Sequence, residues 1–245
     1  MTDEALKAKL EAHAHEHHGV GNVRTTLREA VFGVQDGLIS TLGALTGIAA
    51  GTRDAKAVVV AGFVIIVVES LSMAAGSYLS SKSQREYLER LLKEEEEEII
   101  RNPEGERQEI VDMYRLRGFT DPEIDMIARR LMSNPKLLLE DMAHKELGIS
   151  PTSLEEPLGN AFVMGTTYVA GGLIPVLCYL ALPIQTALPV SIGGTFAALF
   201  LFGGLKGRIV QQNWWRSGLE MVSVAGMAAL AGWLIGRVVD RWILS

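Results

Sequence analysis

Five stretches of about 20 apolar residues limit what this chain of 245 residues can fold into. A helix of about 20 residues crosses the ~30 Å hydrocarbon core of a bilayer. A soluble all-α protein is the alternative, but a domain of this size has too small an interior to bury five such helices. We therefore predict an all-α membrane protein with five spans, at about 30–51, 57–79, 158–181, 185–205 and 218–239.

The polar sequence between the second and third spans predicts a helical insert, which carries most of the 29 acidic residues. A long helix should continue out of span two to about residue 100. Three short helices should follow, at about 103–117, 121–132 and 135–147. Their starts are marked by a polar cap and a proline, and two ends by glycine, at Asn102-Pro103, Asp121-Pro122, Asn134-Pro135, Gly118 and Gly148.

These boundaries give a domain plan. We expect a polar, His-bearing segment at 1–29, spans one and two at 30–80, the insert at 81–156 and spans three to five at 157–245. Basic residues in short loops favour the cytoplasmic side, and Lys206, Arg208 and Arg216 follow span four. We expect the amino end and the insert in the cytoplasm. With no targeting segment in the sequence, a prokaryotic plasma membrane is favoured over a vacuolar one.

Two acids lie inside apolar spans, and they are the strongest functional signal. Asp36 in span one has Ser40 one turn away, and Glu69 in span two is followed one turn later by Met73. A carboxylate at membrane depth is costly unless it faces water, an ion or a partner. Oxygen together with thioether sulfur suits Fe²⁺ or Mn²⁺ better than Mg²⁺ or Ca²⁺. Ordinary packing is the alternative for Met73.

The insert offers a second candidate site, because acids recur on its helices. Acids three residues apart share a helix face and repel each other unless a cation lies between them. A solvated acidic helix is the alternative. The amino-terminal histidines His13, His15, His17 and His18 could also collect metal loosely. The candidate residues of the insert are Glu95, Glu98, Glu106, Glu109, Met142 and Glu146.

Glycines at spacings of four in span one allow another helix to approach closely. They are Gly33 and Gly37, then Gly43, Gly47 and Gly51. The pattern fits packing within one subunit and a homodimer equally well.

The sequence contains no motif for catalysis or for nucleic-acid binding. It has no phosphate-binding glycine loop, no Cys–His zinc pattern and no nucleophile spaced from a base. We therefore predict a protein that is not an enzyme, has no organic cofactor and binds no nucleic acid.

Several segments together resemble the vacuolar iron transporter (VIT) family. They are DGLISTLGALTGIAAG, LSMAAGSYLSSKSQ, NPKLLLEDMAHKELGI and YVAGGLIPVLCYLALP, and the resemblance covers about 27–240. It implies a five-span homodimer that moves Fe²⁺, and in some relatives Mn²⁺, out of the cytoplasm in exchange for protons. It also implies that Asp36 and Met73 line a pathway at the dimer interface, and that the six insert residues capture the metal.

The chain departs from the family pattern in two places. Where relatives have an acid two turns before the span-two methionine, this chain has Ile65, and Glu69 lies one turn before Met73 instead. Ala143 stands where relatives have a second methionine. Glu69 could thus be a metal ligand or a proton carrier, and Fe²⁺, Mn²⁺, Zn²⁺ and Co²⁺ are all candidate ions. A passive cation channel and a membrane-anchored metal sensor or store are the alternative functions.

Overall fold

The computed structural model describes residues 3–52, 54–146, 148 and 155–242, with side chains between 25 and 241. In these ranges the chain forms helices and no strand. The helices are α1 (Asp3–Thr52), α2 (Ala55–Arg101), α3 (Pro103–Leu116), α4 (Asp121–Met132), α5 (Pro135–Lys145), α6 (Pro157–Ala181), α7 (Ile184–Ile209) and α8 (Trp214–Trp242). Five of the described helices, α1, α2, α6, α7 and α8, are long and apolar enough to cross a membrane. The predicted all-α fold with five spans is confirmed.

The chain divides into two compact units. The membrane unit contains residues 23–79 and 157–245, and the insert unit contains residues 80–156 together with residues 1–22. Helix α2 belongs to both, because it continues from the second span without a break to Arg101.

Helix α1 packs closely on two other helices of the membrane unit through its glycines. A Cβ atom added to Gly33 would lie 2.8 Å from the carbonyl oxygen of Met164 on α6. One added to Gly47 would lie 2.7 Å from the carbonyl oxygen of Gly232 on α8. Both distances are shorter than a carbon–oxygen contact allows. The glycine rows of span one therefore serve packing within one subunit, the first of the two interpretations of the sequence.

Two hydrophobic clusters complete this packing. The first joins α1, α2, α6 and α7 around Leu45, Ile66 and Val176. The second joins α1, α7 and α8 around Leu38 and Leu199. Since α1 contributes to both, its polar residues are held in fixed positions between its neighbours.

The short helices of the insert begin and end close to the predicted residues. The Asn102 side chain accepts a hydrogen bond from the Gly105 N–H at 3.2 Å, and Asn134 accepts one from the Leu137 N–H at 3.3 Å. Gly118 has φ +88° and Gly148 has φ +65°, a backbone conformation that glycine adopts without strain.

The start of α4 differs from the prediction by one residue. Thr120, not Asp121, is the N-cap, because the Glu123 carboxylate accepts hydrogen bonds from the Thr120 N–H at 2.8 Å and its hydroxyl at 2.6 Å. Asp121 becomes the first helical residue and pairs with Arg115 at 2.9 Å. A capping box thus fixes the helix start, and the aspartate supplies an ion pair instead.

Candidate functional site

Helix α1 carries a line of polar residues along one face within the membrane unit. Asp36 is half-buried, and its carboxylate accepts a hydrogen bond from the Ser40 hydroxyl at 3.0 Å. Glu29 lies seven residues before Asp36, so the two carboxylates fall on the same face, about 10 Å apart along the helix axis. The serine leaves one of the two carboxylate oxygens of Asp36 without a hydrogen bond from the described residues.

Glu29 is a candidate residue that the sequence reasoning missed. It is only 6% exposed. One carboxylate oxygen accepts a hydrogen bond from the Ser77 hydroxyl of α2 at 2.9 Å, and the other pairs with Arg28 at 3.0 Å. The spacing of seven from Asp36 is a signal in the sequence, but Glu29 ends the segment 1–29 that was predicted to be polar and lies just before the predicted first span.

Glu69 and Met73 lie on α2 with different surroundings. Met73 is half-buried, whereas Glu69 is exposed and lies about 100° around the helix from the exposed Val68. In the described part of the chain, Glu69 has no hydrogen bond or ion pair. An uncovered carboxylate at membrane depth is unstable in lipid. We therefore expect the Glu69 side of α2 to contact protein, water or an ion and not lipid.

Tyr168 of α6 brings a hydroxyl to the two membrane carboxylates. The side chain is fully buried, and it lies within electrostatic range of both Asp36 and Glu69. Its hydroxyl lies near those of Ser40 and Thr41, yet among the described residues it makes no well-formed hydrogen bond. A buried hydroxyl without a partner costs free energy. The Tyr168 hydroxyl is thus held near the carboxylates and can still donate and accept a hydrogen bond.

The insert unit places two glutamates where carboxylates are seldom found. Glu95 near the end of α2 is 7% exposed, and Glu106 on α3 is 2% exposed. One carboxylate oxygen of each is buried without a hydrogen-bond partner in the described structure. Buried acids without partners are rare in proteins because desolvation penalises the ionised form. Their burial distinguishes these two from the solvated acids of the same helices.

The acids of the insert act on one another electrostatically. Burial first, and then repulsion from neighbouring carboxylates, raises the pKa of Glu95 to about 7 and that of Glu106 to about 7. Burial and the charges of Glu109 and Glu98 also raise the pKa of Glu146. A divalent cation placed among these carboxylates would relieve the repulsion that raises the pKa values.

The predicted insert residues differ in burial and do not converge on one point. Glu98, Glu109 and Glu146 are exposed, whereas Met142 is fully buried in the hydrophobic core of the insert beside Ile110. Among the described residues, no three His, Cys, Asp or Glu side chains converge closely enough to hold a metal ion. The carboxylates are therefore close enough to repel each other, but among the described residues they do not form a preformed metal site.

A polar contact holds α5 against α3, next to this cluster. The Lys145 ammonium lies 2.7 Å from the Asp141 carboxylate and contacts the Tyr114 hydroxyl. Lys145 precedes Glu146 directly, and α5 also carries Met142. The contact fixes α5 and hence the direction from which these two candidate ligands approach. The amino-terminal histidines lie outside the side chains that the structure describes.

Comparison with known proteins shows what the chain resembles as a whole. Residues 27–237 match the model of the VIT family. Vacuolar iron transporter 1 of Arabidopsis thaliana is 30% identical over 95% of this chain and 92% of that protein. Vacuolar iron transporter 2 of Oryza sativa subsp. japonica is 31% identical, over 97% of this chain and 96% of its own length. Protein CCC1 of Saccharomyces cerevisiae is 28% identical, over 86% of this chain and 68% of that protein.

Proposed function

Since the chain belongs to the VIT family, whose similar members are named as transporters and not as enzymes, we propose that it transports Fe²⁺ out of the cytoplasm in exchange for protons. The observation that carries this proposal is the presence of buried or half-buried carboxylates in both units. Glu29 and Asp36 lie in the membrane unit, and Glu95 and Glu106 lie in the insert unit. Cation transport explains both pairs, because a passing cation requires negatively charged ligands in each unit.

Capture of the metal is proposed to take place in the insert. The two buried glutamates would bind the ion, and Glu98, Glu109 and Glu146 would turn toward it from their exposed positions. Met142 would supply a soft sulfur ligand, which favours Fe²⁺ and Mn²⁺ over Mg²⁺. Zn²⁺ and Co²⁺ accept the same ligands. The mutual repulsion of these carboxylates supports this role, because a bound cation would relieve it.

Passage through the membrane is proposed to use Asp36, Glu69 and Met73. Asp36 would bind the ion with one oxygen while Ser40 holds the other. Glu69 would take up a proton when the metal leaves, since a neutral carboxyl is far cheaper in a low-dielectric environment than a carboxylate. Proton uptake on metal release is the simplest basis for exchange.

We propose that a second copy of the chain covers the exposed face of α2. The exposed surface of α2 carries large valines on one side and Glu69 on the adjoining side, so neither water nor lipid suits all of it. A twofold contact between two α2 helices would place the two Glu69 side chains near a shared passage. The glycine rows of α1 are occupied within the subunit and are therefore not the proposed dimer contact.

The chain is an integral membrane protein. We propose that the insert lies in the cytoplasm as a metal-binding domain of residues 81–156, and that the membrane is a prokaryotic plasma membrane, whereas the names of the relatives refer to vacuoles. Fractionation of the source cells, followed by cysteine labelling of Ser133→Cys in sealed vesicles of known sidedness, tests both points.

Reconstituted vesicles test the transport itself. Fe²⁺ flux would be measured with and without an imposed pH gradient, and then repeated with Mn²⁺, Zn²⁺ and Co²⁺. The proposal predicts flux that increases with the proton gradient and proton movement opposite to the metal. Flux indifferent to the gradient would identify a passive channel. Metal binding without any flux would identify a sensor or store.

A further inference from the structure

A groove between α1 and α7 lies apart from the polar face of α1. It has a volume of about 440 Å³, and its walls are apolar side chains of both helices. Phe32 is 50% exposed and Ile209 is 54% exposed. The apolar wall residues are Leu27, Val31, Phe32, Ile209 and Val210, and the uncharged Gln35 also lines the groove.

Two cations line the same groove. Arg28 comes from α1 and Lys206 from the last turn of α7. Arg28 already pairs with Glu29, but within the described structure no acid lies within ion-pair distance of the half-buried Lys206. Glu29 neutralises the charge of Arg28, so the groove keeps one net positive charge, that of Lys206. An apolar cleft with excess positive charge complements an amphiphile with an anionic head.

The groove opens at the level of the membrane boundary. Helix α7 ends at Ile209 and α8 begins at Trp214. In this turn, the guanidinium of Arg208 lies 6.0 Å from the ring centre of Trp214, and that of Arg216 lies 5.6 Å from that of Trp215. Tryptophan with arginine is typical of the headgroup region. Val31 and Phe32 lie further along α1 into the membrane than Arg28 and thus border the acyl chains, whereas Ile209 and Val210 follow Lys206 toward the turn and lie at the depth of the headgroups.

We propose that this groove binds an anionic phospholipid, with the phosphate held by Lys206 and Arg28, one acyl chain against Val31 and Phe32, and Ile209 beside the headgroup. The proposal requires membrane insertion but not transport, so a protein that moved no metal would still bind the lipid. The lipid would belong to the leaflet on the side where α7 ends, because the positive charge of the groove and its position at the membrane boundary both suit an anionic headgroup.

Native mass spectrometry of the full chain tests the site. The protein would be released from nanodiscs of phosphatidylcholine with phosphatidylglycerol, and retained phosphatidylglycerol would be counted. Lys206→Gln should weaken retention by about fivefold, the effect of one basic residue near an anionic membrane surface. Lys206 is chosen because its loss, unlike that of Arg28, leaves no buried acid unpaired. Arg216→Gln, which removes a charge at the same boundary but outside the groove, should change retention little.

A second variant separates the groove from general surface charge. Ile209→Trp fills the cleft without changing any charge, and it should also lower retention while the metal-binding insert is unaffected. Equal losses in Lys206→Gln and Arg216→Gln, or unchanged retention in Ile209→Trp, would contradict a specific site and leave only unspecific annular lipid. If Ile209→Trp instead dissociated a dimer with lipid retention unchanged, the occupant would be a second copy of the chain, and the proposal would be wrong.

Discussion

The Glu29 carboxylate of α1 accepts a hydrogen bond from the Ser77 hydroxyl of α2 at 2.9 Å, across 48 residues of sequence. Ser77 lies one turn after Met73, and Glu29 lies two turns before Asp36 on the same face of its helix. The bond therefore joins the two helices that carry the proposed pathway. It also fixes a carboxylate at the end of that pathway nearest the basic loops.

Substitution of Ser77 tests what this bond contributes to stability. Ser77→Ala should lower the free energy of unfolding by about 1–3 kcal/mol, because a buried carboxylate loses a hydrogen-bond donor. Thermal unfolding of the purified protein in detergent measures the change. Ser72→Ala, at an exposed position of the same helix, is the matched control and should leave the melting temperature nearly unchanged. Equal effects of the two substitutions would show that the bond is not formed.

Substitution of Glu29 tests a role in transport. Glu29→Gln removes the charge, but its amide oxygen can still accept the hydrogen bond from Ser77. We expect near-normal thermal stability with Fe²⁺ flux several-fold lower, since the negative charge that attracts the cation is gone. A variant that melts normally and transports at the full rate would assign Glu29 to structure alone.

The close contact of α1 with α6 leaves no room for a side chain at Gly37. An added Cβ would collide with the carbonyl oxygen of Tyr168 and lie 3.0 Å from the Gly172 nitrogen. Gly37→Ala should therefore destabilise the protein by about 1–3 kcal/mol, as overpacking usually does. Gly193→Ala, where nothing lies within 4 Å of the added atom, should instead be neutral or stabilising by up to about 1 kcal/mol. Melting temperatures of the two variants decide the point.

Metal binding by the insert should depend on pH near neutrality. The pKa values of Glu95 and Glu106 are raised to about 7, and a metal must displace any proton that they hold. We expect the affinity for Mn²⁺, measured by calorimetry on the full chain, to rise about 10- to 100-fold between pH 6 and pH 8. Glu106→Gln should weaken binding and flatten this dependence. The same steep rise in Glu106→Gln would show that other groups govern it.

The same pKa values predict how the stability of the metal-free insert changes with pH. In the folded state these glutamates hold their protons up to about pH 7, whereas in the unfolded chain they lose them near pH 4.5. The folded state binds more protons in this window, so its stability should fall as the pH rises from about 4.5 to 7. Added Mn²⁺ should restore stability at pH 7 and above.

The sequence predicted the helices well because local chemistry marks their ends. Long apolar runs defined the spans, and the Asn-Pro pairs and positive-φ glycines bounded the insert helices. Thr120 was missed as a cap because two adjacent residues can both cap a helix, and the choice depends on the partners that Glu123 and Arg115 find in three dimensions.

The spacing of residues in the sequence did not predict which helices contact each other. The glycine rows allowed two interpretations, and only the positions of Met164 and Gly232 distinguished them. The buried hydroxyl of Tyr168 escaped notice because a tyrosine inside a span is ordinary, and its importance comes from the carboxylates of two other helices. The predicted ligands of the insert share helix faces as expected, but their unequal burial depends on how α3 and α5 pack.

Iron flux through Asp36→Asn tests the central claim most directly. The variant would be reconstituted in vesicles beside the wild type and beside Asp54→Asn, which changes an exposed acid in the turn between α1 and α2. We predict normal flux in Asp54→Asn and, in Asp36→Asn, loss of nearly all proton-driven Fe²⁺ flux with a fold as stable as the wild type. Wild-type flux in a well-folded Asp36→Asn protein would contradict the claim that this carboxylate carries the ion through the membrane.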